Sequence, residues 1–278
     1  MRDFSADHRW LSLNTATVRK QGDLLNIIDA CARHGIRAID PWRDQVAAIG
    51  LDRAGRAVRD AGLELSGYCR GGMFTSDAAH RIEARDDNRR AVDEARALGA
   101  PCLVLVVGGL PPSSKNLGES RKVVAEAIAA VLPHARAARV TLAIEPLHPM
   151  YAADRACINT IDQGLDLCEQ LGDGVGLMID AYHTWWDPNL ASAIARAGRL
   201  GRILGHHISD WLVPTTDMLL DRGMMGDGVI DFRAFRAMIE QAGYDGPQEV
   251  EIFSRDNWWK RPGDEVVRIA LERFNTVC

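Results

Sequence analysis

Four acidic or imidazole positions stand at the ends of four successive apolar runs in the second half of this 278-residue sequence. TLAIEP ends with Glu145, GLMIDAYH carries Asp180, RILGHHISD carries the adjacent pair His206 and His207, and QEVEIFS carries Glu251. If each run is a β-strand, successive side chains alternate between two faces, so parity decides whether these groups can meet. Glu145 shares a face with Thr141 and Ala143, opposite Leu142 and Ile144. Asp180 goes with Gly176 and Met178, opposite Leu177 and Ile179, and Glu251 goes with Glu249, opposite Val250 and Ile252. Either histidine of the pair could join them. Placing Leu204 with the outward aliphatic residues turns His207 toward the carboxylates and leaves His206 facing a helix layer. Two glutamates, an aspartate and a histidine form a mixed oxygen and nitrogen donor set suited to one divalent metal ion, with Mn2+ first and Mg2+, Co2+ or Zn2+ as alternatives. Any one of the four could instead cap a turn or pair with an arginine. Four that agree in depth and parity argue for a metal, because that much unpaired buried charge is heavily penalised.

The elements that must position these groups are legible in the pattern. Strand-like runs cover residues 11–18, 36–42, 63–69, 101–109, 140–146, 175–182, 202–210 and 248–254, and each is followed by a helix-like stretch, among them the segment 77–98. Several stretches close on a glycine just before the next strand, as in ARHG, QLG and QAG, where glycine accepts the left-handed conformation that stops a helix. Strand and helix alternating eight times predict an α/β fold, a (β/α)8 TIM barrel with eight parallel strands and outer helices. No Ser/Gly-rich or Pro-rich linker divides the chain, so one domain over 1–278 is expected. No GxGxxG follows the first strand, which argues against a dinucleotide-binding sheet. Such a barrel does its chemistry at the C-terminal ends of its strands, where the four candidate ligands fall.

Composition removes several functions. The chain is 47% hydrophobic and 26% charged, with a net charge of −5 and a pI near 5.9. It has no basic stripe of the kind that tracks nucleic acid. The start, MRDFSADHRW, lacks the apolar core of a secretory signal, and no apolar run approaches the roughly 20 residues of a membrane helix. A cytoplasmic protein with no membrane or nucleic-acid partner is expected. Six cysteines without a CxxC pair suggest buried thiols, neither disulfides nor a cysteine zinc site.

Taken in order, IEP at Glu145, D-x-x-H at Asp180 and His183, H-I-S-D at His207 and Asp210, G-D-G-x-I-D at 226–231 and VEIF at Glu251 give the chain a resemblance over essentially its whole length. It resembles the xylose-isomerase-like TIM barrels, the sugar phosphate isomerase/epimerase group that includes ketose 3-epimerases and hydroxypyruvate isomerase. The resemblance implies that Glu145, Asp180, His207 and Glu251 bind the metal and that Glu145 and Glu251 serve as the catalytic acid/base pair. It also implies that His183 and Arg222 contact substrate, and that the protein is a homo-oligomer, a dimer or a tetramer.

The expected reaction is isomerisation or epimerisation of a small carbohydrate or keto-polyol through a metal-bound enediolate. The substrate is expected to be unphosphorylated, since Asp227 and Asp231 in GMMGDGVID oppose an anion at that glycine-rich turn. The alternative is a metal-dependent lyase or dehydratase that eliminates a group from a keto sugar, 3-keto-glycoside or cyclitol. In that case His148, three positions beyond Glu145, or His183 would act as an extra acid or base. Trp185 could stack on a sugar ring, Trp42 and Arg43 at the end of strand two are pocket candidates by position, and Arg70 beside Gly71 and Gly72 could bind an anionic substrate group. A DNA-repair endonuclease of the same fold would need histidines that GYCRGG and LVLVVGG lack.

Overall fold

Residues 2–4, 7–75, 77, 80–111 and 114–278 are described by a computed structural model. Its strands are β1 (Leu11–Asn14), β2 (Ala38–Asp40), β3 (Glu64–Leu65), β4 (Gly71–Gly72), β5 (Cys102–Val106), β6 (Thr141–Ile144), β7 (Val175–Asp180), β8 (Ile203–Ile208), β9 (Asp210–Trp211), β10 (Arg222–Gly223) and β11 (Gln248–Val250). Nine of them form one parallel sheet in the order β3-β2-β1-β11-β8-β7-β6-β5-β4, and β9 and β10 pair antiparallel as a separate ribbon.

β3 and β4 are two ends of a single barrel position. The 63–72 stretch pairs with β2 through β3, bridges Trp42 at Cys69, accepts a 3.1 Å hydrogen bond from Val104 N at Tyr68 O, and pairs with β5 through β4. Both edges of the sheet therefore meet in this one stretch, and the ring closes with the expected eight positions. Close backbone approach explains why the stretch is interrupted. Gly72 has φ +107°, and a Cβ there would lie 1.9 Å from the carbonyl oxygen of Val106, a place open only to glycine.

The crossovers are α1 (Leu24–Arg33), the pair α2 (Arg43–Ile49) and α3 (Leu51–Asp60), α4 (Arg81–Leu98), α5 (Leu117–Ala138), α6 (Ile161–Leu171), the short α7 (Ala181–Thr184) with α8 (Leu190–Arg199), α9 (Phe232–Gln241) and α10 (Gly263–Val277). The expected start of α4 near residue 77 includes Ala78 and Ala79, which lie outside the described residues; the helix itself begins at Arg81. Side-chain caps set several starts. Asp23 and Asn26 form a capping box on α1, and Asn116, Thr160 and Asp231 each accept backbone amides at their helix N-termini. The anticipated terminal glycines are present, with φ of +72° at Gly35, +79° at Gly172 and +88° at Gly243.

Parity holds around the ring. Leu13, Ile39, Leu103, Leu142, Ile144, Leu177, Ile179, Ile208 and Val250 are fully buried in the core between sheet and helices, each contributing about 1.5–3 kcal/mol by its burial. Inside the ring a smaller cluster of Cys69, Cys102, Val104, Ala143 and Met178 is packed by Leu204. Leu204 is a correction, because the outward position expected of it is not the one it takes. Leu177 pairs with Ile203 and Met178 with Gly205, so the register shifts by one residue at Leu204. Ile203 packs outward, Leu204 turns inward over Gly176, and parity resumes with His206 outward and His207 inward. His207 reaches the expected face by way of a bulge.

No described helix is long and apolar enough to cross a membrane. All six cysteines are buried and unpaired.

Candidate metal centre

Four neighbouring strands deliver the expected donors to one place. Glu145 follows β6, Asp180 ends β7, His207 is the penultimate residue of β8 and Glu251 follows β11, all at the C-terminal rim. Each offers a ligand atom, and these atoms all lie within 4.8 Å of one another. The four side chains are almost fully buried, with exposures of 5% (Glu145), 0% (Asp180 and His207) and 4% (Glu251).

The His207 ring joins two groups of carboxylates. Its Nδ1 is 3.0 Å from Glu145 Oε1 and 3.8 Å from Glu251 Oε2, and its Nε2 is 2.9 Å from Glu249 Oε1. The Nε2 contact is a close ionic one whose angle falls short of a hydrogen bond. Glu249 is held from several sides. Asn14 Nδ2 donates to its Oε1 at 2.9 Å, and Ser66 and Ser12 hydroxyls donate to its Oε2 at 2.6 and 3.4 Å. Asp40, His207 and Glu249 thus form a second group of donor atoms beneath the first.

Burial and neighbouring charge set the electrostatics. Asp180 is pushed up to about 7 by burial, against the pull of Arg222 and with Glu145 adding to the rise. Burial also raises Glu251, and it raises Asp40 well above the usual carboxylate range with help from Glu249. Burial alone would lower His207, but Glu249 and Glu145 outweigh it and lift the ring well above its ordinary value. Burial would raise Glu249, yet His207, Ser66 and Asn14 hold it below its ordinary value. Carboxylates raised beside Glu249, which is held low, describe a cluster short of positive charge.

Arg222 supplies part of that charge. On β10, its Nη1 donates to Glu251 Oε2 at 2.9 Å and to Asp180 Oδ2 at 3.3 Å, while Nη2 lies 3.1 Å from His183 Nε2. Its guanidinium also lies over the Tyr182 and Phe253 rings, 4.5 and 5.1 Å from their centroids. Burial and then Arg222 hold His183 well below the usual imidazole range, so the ring is neutral. With Arg222 donating to Nε2, the His183 proton belongs on Nδ1, which is buried without a hydrogen-bond partner among the described residues. The turn that carries Arg222 is anchored by Asp210, whose carboxylate accepts the amides of Trp211, Gly226, Gly228 and Ile230 at 2.8–3.0 Å.

A cavity of about 120 Å3 opens over the cluster, lined by Glu145 and Glu251 together with Trp42, Arg70, Leu147, Tyr151, Arg155, His183, Arg222 and Phe253. A larger cleft of about 830 Å3 lies at the other end of the barrel, among strand starts such as Ala38, Ile203 and Pro247. In barrels of this kind that end serves stability, and the chemistry belongs to the smaller cavity.

Not every expected residue reaches it. His148 is absent from the cavity wall. Its Nδ1 accepts Met150 N at 3.2 Å to cap a short turn, and its ring packs on Trp211 and Trp186 at 5.1 and 5.4 Å. Trp185 likewise packs on Trp211, 5.8 Å between centroids, outside the wall. Arg43 opens α2 and pairs with Asp87 and Glu94 on α4, away from the cavity. His206 faces the helices as expected, its Nδ1 donating to Ile179 O at 2.9 Å and its ring stacked on Phe235. Asp40, Tyr151 and Arg155 were missed. Asp40 ends β2, inside the second strand-like run, as Asp180 ends β7, and Glu249 was visible only as the residue sharing Glu251's face.

Comparison with known proteins agrees with this geometry. A family model described as xylose isomerase-like TIM barrel matches residues 28–277. The inosose isomerase of Bacillus velezensis is 25% identical across 96% of both chains. The crystal structure of protein SMc04130 from Sinorhizobium meliloti 1021 superposes with a TM-score of 0.96 at 65% identity, over 98% of this chain and 99% of that one. The IOLI protein, solved with a zinc atom, superposes with a TM-score of 0.82 at 20% identity, over 94% and 95%. With nearly all of its length matched and its ring of strands closed around a polar mouth, the chain belongs to the xylose isomerase-like TIM-barrel family.

Proposed function

We propose that this protein is a divalent-metal-dependent isomerase or epimerase of a small polyhydroxy aldehyde or ketone. The observation that carries the reading is the convergence of Glu145, Asp180, His207 and Glu251, four buried side chains with ligand atoms within 4.8 Å of one another. Three buried carboxylates and an imidazole nitrogen fit a divalent cation, and Mn2+ is our first assignment. The IOLI protein, which shares the fold, was solved with a zinc atom, and this supports a divalent ion as the choice. When bound, such an ion supplies Lewis-acid polarisation of a substrate carbonyl, worth several kcal/mol.

The chain's own groups do the rest. β6 and β11 are the outer members of the set β11-β8-β7-β6, so Glu145 and Glu251 flank a substrate from two sides. One carboxylate takes the proton from the carbon next to the carbonyl, and the other returns a proton, each step contributing about 10²- to 10⁴-fold. Return to the opposite face of the same carbon inverts it, and return to the neighbouring carbon exchanges aldose and ketose. Arg222 holds Glu251 and Asp180 in place, and its hydrogen bond keeps His183 Nε2 an acceptor. The apolar walls from Leu147, Phe253 and Trp42 limit water around the exchanging proton.

A second reading, elimination from a keto sugar or cyclitol, is favoured by one observation. His183 is neutral, lines the cavity and has an unpartnered Nδ1–H, a hydrogen-bond donor for the oxygen of a departing group. One experiment separates the two. Protein treated with chelator, then reloaded with Mn2+, is incubated with ketoses in deuterated water. Isomerisation or epimerisation places deuterium on carbon without loss of a group, whereas elimination yields a deoxygenated or unsaturated product. Turnover indifferent to chelation would refute both readings.

A further inference from the structure

Two arginines of the cavity wall take no part in the metal cluster. Arg222, which does, has its N–H edge already spent on Asp180 and Glu251. Arg70 and Arg155 line the same cavity in addition. Among the described residues the Arg70 side chain makes no hydrogen bond or ion pair, and its contact is with the face of Trp42, 5.9 Å to the ring centroid. The nearest carboxylate to Arg155 is its neighbour Asp154 at 3.8 Å, and its guanidinium lies over Tyr151 at 5.7 Å.

This mode of support matters chemically. A guanidinium resting on an aromatic ring uses its flat face and keeps its N–H edge available, and that edge is the fork that binds carboxylate or phosphate oxygens in pairs. Burial lowers the Arg70 pKa, and Arg155 adds to the fall while Cys69, Glu145 and Glu251 oppose it, so an anion at the free guanidinium edges would stabilise the charged form. The backbone alternative is taken, because the amides of the 226–230 turn are bonded to Asp210. An anion in this cavity would therefore meet arginine forks.

We infer that the substrate carries an oxyanion, a carboxylate or a phosphate, received by Arg70 and Arg155 while its polyhydroxy-carbonyl portion faces Glu145 and Glu251. This rests on the isomerase reading above. It narrows the substrate class to anionic sugars, and the notion of a neutral keto-polyol is set against it in the test.

The test measures binding to the Mn2+-loaded protein by calorimetry with matched probes: D-fructose, D-fructuronate and D-fructose 6-phosphate, and D-glucose against D-glucuronate. At least one anion should bind about tenfold or more tightly than its neutral partner, a difference of about 1.4 kcal/mol. Whether the uronates or the phosphate show the gain assigns the group. Arg70→Gln and Arg155→Gln should each reduce the anion-to-neutral ratio about tenfold, with Arg70→Lys retaining part of it. A ratio near one for every pair, including binding by none of the probes, overturns the inference, as does a ratio that both substitutions leave unchanged. Should either variant fail to fold, the wild-type ratios decide. Metal content and deuterium exchange, followed on the same samples, report separately on the isomerase reading, so the two can fail independently.

Discussion

Glu249 is the residue whose part in the site is indirect. It stands two positions before Glu251 on the same face, too deep to line the cavity, and its carboxylate lies against His207 Nε2 on the side away from Glu145. A carboxylate behind a metal-binding imidazole fixes which ring nitrogen keeps its proton and raises the basicity of the other. Asn14, Ser12 and Ser66 hold that carboxylate ready before any ion arrives. Glu249→Gln keeps the shape and removes the charge, so affinity for Mn2+ should fall about 10- to 100-fold with the fold intact. Competition with a fluorescent chelator, alongside a circular dichroism spectrum, would show it. An unchanged affinity would make Glu249 a purely structural partner of the serines.

At the scale of elements, the second half of the barrel was readable because each of its strands repeats one pattern, aliphatic residues outward and a polar or small residue inward. The pattern located Glu145, Asp180 and Glu251 directly. It located His207 by the wrong step, since Leu204 was placed outward while a bulge opposite Leu177 and Met178 turns it in. A one-residue register shift leaves no mark in a run such as RILGHHISD. His148 and Trp185 were misplaced for a related reason, because loop residues carry no periodicity and their packing on Trp211 comes from a segment more than twenty residues away. Arg222 shows how such loop residues are fixed. Its β10 ribbon hangs on Asp210, which accepts four backbone amides across β9 and the 226–230 turn. Asp210→Asn puts a donor where acceptors are needed. It should cost about 1–3 kcal/mol of stability in urea melts and raise KM as Arg222 loses its setting, whereas a variant with normal stability and normal KM would show that the ribbon is held by other contacts.

At the scale of the whole molecule, the ring gathers Asp40, Glu145, Asp180, Glu249 and Glu251 into its interior, where the described cationic partners are Arg222 and His207. Closing the barrel without an ion brings like charges together at a cost in stability, and a cation that binds only the folded ring returns it by mass action. At a free-ion concentration about a hundred times its Kd, the gain is about 2.7 kcal/mol. For domains of 150–250 residues 1 kcal/mol moves Tm by about 2–4 °C, so Mn2+ should raise the melting temperature of the stripped protein by roughly 5–10 °C. Asp180→Asn should behave in the opposite sense on both counts. Removing one buried negative charge should make the metal-free protein melt at the same temperature as the wild type or higher, while its response to Mn2+ shrinks or disappears. Scanning calorimetry of both proteins with and without the ion would check it. A wild type whose Tm ignores Mn2+ would mean that the carboxylates are matched within the chain itself, and the site would lose its claim to a metal.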